Sequence, residues 1–148
     1  MSLKDTISEQ MKSAMKSGDK NRLETLRSVR AMILEFEKSG ADKELTPDAE
    51  LTIVNAAVKK RKESAELYRN GNRIDLAEKE EAELAVLMEF LPKQFSDTEA
   101  EDFIRNLATE LGVSGKADFG KLMSASAKAL KGKYEGAKVK TIVERILS

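Results

Sequence analysis

TPDAELTIVNAAVKKRKESAELYRNGNRIDLAEKEEAELAVLMEFLP, residues 46–92, reads as two helices and one turn. Thr46 offers a capping hydroxyl, Pro47 suits a first helical position, and Asp48 lies where the helix dipole favours an acid. Leu51, Val54, Val58, Ala65 and Tyr68 then follow one helical face. Asn70-Gly71-Asn72 breaks the chain, after which Ala77, Leu84, Met88 and Leu91 mark a second stripe that Pro92 stops. Each helix is expected to run about 20 residues, or roughly 30 Å. So short a turn between them requires an antiparallel hairpin.

The same grammar holds on both sides. Upstream, Ser2 caps a first helix with Leu3, Ile7, Met11 and Met15 on its stripe, and Gly18 ends it. Asp19 caps a second with Leu26, Val29, Ile33 and Phe36, and a polar loop follows around Gly40. Downstream, Ser96-Asp97-Thr98-Glu99 is a capping box that opens a fifth helix with Phe103, Leu107 and Leu111 facing inward and Gly112 closing it. Asp118 is expected to cap a sixth, bearing Phe119, Leu122, Met123 and Leu130, and Gly132 to end it. Gly136 precedes a seventh with Val139, Ile142, Val143, Ile146 and Leu147. No strand-like alternation persists. The reading is an all-α chain: an N-terminal long-helix domain with the hairpin, residues 1–94, and a small three-helix tail domain, residues 95–148.

Composition narrows the chemistry. The chain has no cysteine and no histidine among its 148 residues. That removes disulfides, thiol nucleophiles, thiolate metal sites, the commonest general base and every Ser-His-Asp arrangement. Neither a metal nor another cofactor is expected, and the chain reads as a binding module rather than a self-sufficient catalyst. No apolar run reaches the length of a membrane span, and the first residues lack a signal-peptide core, so the cytoplasm is the expected location and no membrane partner is expected. Net charge is zero but unevenly spread. From Val113 onward eight basic residues face three acids, a surplus of +5 that suits a polyanion such as RNA, or simply a soluble lysine-rich surface.

Four clusters invite a functional reading. Lys59-Lys60-Arg61-Lys62 spans a full helical turn and so fans around its helix as a solvated face. Arg61 differs because it falls on the apolar stripe; Glu81 holds the matching place on the next helix, at about the same height once the hairpin folds. A cross-helix Arg61–Glu81 pair is one expectation, and two side chains snorkelling outward is the other. Asp75, Glu78, Glu80, Glu81 and Glu83 lack any second ligand type and read as solvated acids, with Glu80 and Glu83 on a shared outer face. Gly115–Lys121 lacks the spacing of a phosphate loop. Around the turn from Gly132 to Gly136, Lys131, Lys133, Lys138 and Lys140, with Lys121 nearby, form a candidate phosphate-binding group, and Tyr134 is available for stacking. The plain alternative is a glycine-punctuated turn with incidental lysines.

Several segments together resemble the YqeY family, small free-standing relatives of the C-terminal region of the B subunit of the aspartyl/glutamyl-tRNA amidotransferase. The matching stretches are Arg22–Arg27, Lys60–Ser64, Asp75–Glu80, Glu89–Gln94, Gly120–Met123 and Lys131–Lys133, in order along nearly the whole chain. The resemblance implies the same all-α, two-part fold and a tRNA-handling ancestry, because the related tail contacts tRNA. It implies no catalysis: a carbon–nitrogen ligase activity with glutamine as amido donor would belong to the complex. Partners implied are tRNA or other RNA, or else amidotransferase or aminoacyl-tRNA synthetase subunits that an adaptor would dock on. Ser124-Ala125-Ser126-Ala127-Lys128 departs from the family's more apolar pattern and makes the sixth helix more polar.

Overall fold

The computed structural model describes residues 2–40 and 44–148; part of the loop expected around Gly40 lies outside them. The described residues are all-α, with seven helices and one short 3-10 turn: α1 (Leu3–Ser17), α2 (Lys20–Lys38), α3 (Pro47–Asn70), α4 (Ile74–Met88), α5 (Asp97–Leu111), the turn Lys116–Asp118, α6 (Phe119–Leu130) and α7 (Gly136–Ile146). The chain divides into two compact units, residues 1–91 and 92–148. Phe90 and Leu91 pack on the first core and Phe95 on the second, with exposed Pro92, Lys93 and Gln94 between them.

The first unit is two helical hairpins, α1 with α2 and α3 with α4, around Ile7, Met11, Leu26, Val29, Ile33, Val54, Val58 and Leu87. Its helix starts are set locally. Ser2, Asp19 and Thr46 each accept a backbone N–H three residues on, as capping side chains do. Arg73 N–H donates to the Tyr68 carbonyl at 2.8 Å and Asn72 takes φ 58°, a left-handed turn that Asn tolerates. The fourth helix is shorter than expected. After Met88 the amides of Phe90 and Leu91 reach only three residues back, because Pro92 disfavours helical backbone at the residue before it. Met15 also leaves the expected stripe and stands 55% exposed, with Ala14 buried instead. Steps of four residues drift about 40° each, so three of them carry a side chain off its face.

The second unit packs α5, α6 and α7 around Ile104, Leu122, Leu130, Val139 and Val143. The Ser96–Glu99 capping box forms in both directions. The row Ala100, Ile104 and Ala108 is the fully buried face of α5, whereas Phe103, Leu107 and Leu111 are only half-buried beside it. The two alanines let the backbone approach the core closely, and the larger side chains bracket the contact; Phe103 meets Phe95 edge to face at 5.8 Å. Asp118 does not cap α6. The 3-10 turn leads straight into the helix, with the Asp118 N–H bonded to the Gly115 carbonyl at 2.9 Å. Ser126 is wholly buried in α6, and its hydroxyl has no hydrogen-bond partner among the described residues.

Candidate functional site

The basic tail meets an acidic helix. Within α5, Asp97, Glu99, Glu101, Asp102 and Glu110 stand against a single base, Arg105, while α7 carries Lys138, Lys140 and Arg145 against Glu144. Lys138 and Arg145 lie seven residues apart, so they share a face of α7. The first turn of α5 faces them. Lys138 Nζ sits 3.6 Å from Asp97 Oδ1, and Arg145 Nη2 donates to Glu101 Oε1 at 2.5 Å. Between these two rungs lies an open groove of about 410 Å³, lined also by Thr98, Thr141, Ile142 and Tyr134.

Tyr134 closes one end. Its hydroxyl donates to Asp97 Oδ1 at 2.6 Å, and Lys138 Nζ lies 5.7 Å above its ring. Burial and then the bond to Asp97 push the phenol up to about 12. The hydroxyl of Tyr134 and the charge on Lys138 hold Asp97 below its ordinary value, and Arg145 does the same to Glu101. The ring expected to offer a stacking face is therefore already engaged.

Gly132 is buried with φ 75°, a backbone that a side chain would strain. Its carbonyl accepts from Gln94 Nε2 at 2.6 Å, and the Lys133 carbonyl accepts from Phe95 N–H at 2.8 Å. The amides of Lys133 and Tyr134 both donate to the Leu130 carbonyl, so neither points outward to a phosphate. Gly136 is exposed at the start of α7, which no side chain caps. Lys140 reaches Glu144 at 3.8 Å, one turn along its own helix. Lys121 is exposed on α6 and makes no ion pair among the described residues; Lys131 and Lys133 are half-buried. Of the residues grouped by sequence, the structure brings Lys138 onto Tyr134 and Asp97 and leaves Lys121 on another helix. Acidic α5 is what the sequence reading missed, although the cluster of acids after Ser96 was its visible signal.

In the first unit the expected Arg61–Glu81 pair is not the one formed. Arg61 Nε donates to Glu83 Oε2 at 2.9 Å and lies 3.6 Å from Glu80 Oε2, while its Nη2 reaches Ser28 Oγ at 3.1 Å. Glu81 binds Arg69 instead, at 2.5 and 2.9 Å. Glu80 and Glu83, three residues apart, share the face turned to α3, and Glu81 lies about 100° around from Glu80. Those two acids are thus half-buried ion-pair partners rather than an outer solvated face. Arg22 ties the other end, donating to both oxygens of Glu89 and to Gln10.

No group of three or more acids able to hold a metal occurs among the described residues, and no described helix is long and apolar enough to cross a membrane. The described residues form an all-helical chain of two compact units. The family described as Yqey-like protein matches residues 4–147, and the chain belongs to it. It is 30% identical over 141 residues to altered inheritance of mitochondria protein 41, mitochondrial, of Pyrenophora tritici-repentis, across 90% of this chain and 76% of the relative. It is 35% identical over 96 residues to an uncharacterized protein of Schizosaccharomyces pombe, across 64% of this chain and 76% of that one. A Lachancea thermotolerans relative, again named altered inheritance of mitochondria protein 41, mitochondrial, is 30% identical over 107 residues, 71% of this chain and 57% of its own. The expected cytoplasmic location is overturned by these relatives, two of which are named as mitochondrial. It had rested on the lack of a membrane span and of a signal-peptide core, and neither distinguishes one aqueous compartment from another.

Proposed function

We propose that this chain is a non-catalytic helical module that binds tRNA or other RNA electrostatically through its C-terminal unit. The observation that carries the reading is the +5 surplus of residues 113–148, set on short helices and turns. Lys121, Lys131, Lys133, Lys138 and Lys140 are the phosphate partners in this reading, with the Gly132–Gly136 turn fixing where they emerge. Lys138 and Lys140 already face Asp97 and Glu144 in exposed, individually weak ion pairs, so a phosphate competes with a carboxylate for each of them. Two relatives named as mitochondrial support a mitochondrial setting for this reading. Filter binding of bulk tRNA across a salt series tests it: affinity falls steeply and linearly on logarithmic axes, with a slope set by the phosphates neutralised. No binding by the folded protein at low salt would end the RNA reading.

One observation favours a second reading, an adaptor that docks on an amidotransferase or synthetase subunit through its hairpin. Leu67, 71% exposed, and Ile74, 40% exposed, flank the α3–α4 turn and present apolar surface there. The same salt series separates the two readings, because an apolar hairpin contact does not bring tRNA to the protein.

A further inference from the structure

In the second unit the cations differ in what already holds them. On α7, Lys138 has Asp97, Lys140 has Glu144 and Arg145 has Glu101. On the turn before α6 and on α6 itself, Lys116, Lys121 and Lys128 are exposed and make no ion pair among the described residues. From Val113 to Lys133 five lysines accompany one acid, Asp118. Lys121 and Lys128 are seven residues apart, which places them within about 20° of one another around the helix and about 10 Å apart along it. Exposed Ser124 lies between them, and exposed Gly120 meets nothing where a side chain would start. Between the two lysine stems the face therefore carries only a small side chain, Ser124.

A polyanion gains most from cations that need not first leave a carboxylate. Asp97 and Glu101 are also the acids whose ionised form is favoured by their partners, so they stay charged at neutral pH. We propose that the phosphate-binding surface of this chain is the outer face of α6, carried by Lys121 and Lys128 with Lys116 on the turn that precedes it, and that Asp97 and Glu101 hold α7 out of it as internal competitors. This rests on the RNA reading and names its surface: a phosphodiester backbone lies along α6 rather than across the start of α7. Tyr134, bonded to Asp97 and covered by Lys138, contributes no stacking, so the surface reads charge and not base identity.

The experiment compares five variants of the chain by filter binding of bulk tRNA over a salt series. Lys121→Ala with Lys128→Ala flattens the salt slope by about two, and Lys138→Ala with Lys140→Ala by less than about one. Asp97→Asn with Glu101→Gln tightens binding beyond the matched control Asp102→Asn with Glu110→Gln, which removes the same charge elsewhere on α5. In that tightened background Lys138→Ala then costs about one unit of slope. Equal or greater loss from the α7 pair than from the α6 pair overturns the surface assignment while leaving the RNA reading intact. No gain over the control overturns the competition. Failure of the wild type to bind at all removes both. Far-ultraviolet circular dichroism checks that each variant is folded; if the Asp97–Glu101 variant is not, the comparison of the two lysine pairs decides the assignment alone.

Discussion

In the first unit the central ion cluster lies between helices: Arg61 is 15% exposed and Glu83 13%, with Glu80 and Ser28 completing it. In the second unit the pairs Asp97–Lys138 and Glu101–Arg145 stand at the surface, where Asp97 is 77% exposed. The two units solve different problems with the same residue types. Long helices can slide past one another, and a half-buried guanidinium with fixed carboxylate partners sets their register at little net gain in stability. Three short helices are already fixed by tight turns, so their ion pairs are not needed to set register and stay at the surface, where a ligand has to compete with them. Burial, more than charge count, separates the structural pairs from the ones a partner can displace.

The largest expected effects test whether each unit has its own core. Leu87→Ala in the first and Leu122→Ala in the second, both wholly buried, should each cost about 3 kcal/mol through lost transfer energy and the cavity left behind. Hydrogen exchange should place each loss in the helices of the unit that carries it. Faster exchange spread evenly over α1–α7 in either variant would break the division into two cores.

Next in size is Arg61. Removing it as Arg61→Ala leaves Glu80 and Glu83 half-buried without their cation and should cost about 2 kcal/mol, less than a fully buried pair because both acids keep some water. Glu81→Ala should cost far less, since its partner Arg69 is exposed. A double-mutant cycle on Arg61 and Glu83 should show clear coupling, and one on Arg61 and Glu81 none. Equal coupling in the two cycles would return the pair that the sequence alone suggested.

That contrast shows what a sequence can and cannot carry. Caps at Ser2, Asp19, Thr46 and Ser96 are local, each needing only a side chain and the amide three residues on, and all four form. Helix existence was readable for the same reason. Which face turns inward was readable only to within one residue's rotation: Glu80, with Glu83 one turn on, rather than Glu81 meets Arg61, and Ala100, Ile104 and Ala108 rather than Phe103 form the buried row. A step of 100° is small in sequence and decisive in packing. The pairing of α5 acids with α7 bases was less visible still, because it joins residues more than 40 positions apart, Glu101 and Arg145. Compartment was not legible at all, since composition reports chemistry and not address.

The smallest effect concerns the surface contact itself, read at Tyr134. The phenol is raised to about 12 from its ordinary 10.0, and Asp97 is lowered from its ordinary 3.8. For Tyr134 the folded state holds the proton more tightly, so its contribution is complete below about pH 10 and is lost as pH rises toward about 12. For Asp97 the sign is opposite: its contribution is complete above its ordinary value and is lost as pH falls through the lowered one. The chain has two tyrosines, so a Tyr68→Phe background isolates the phenolate absorbance of Tyr134. In that background ionisation should come near pH 12, and Asp97→Asn should bring it part of the way down, because burial is the larger cause and stays in place. Ionisation at the ordinary value, unmoved by Asp97→Asn, would mean that the α5–α7 contact is not kept in solution. The carboxylates would then hold nothing back from a phosphate, and the difference between the buried ion cluster of the first unit and the surface pairs of the second would be one between a bond kept and a bond absent.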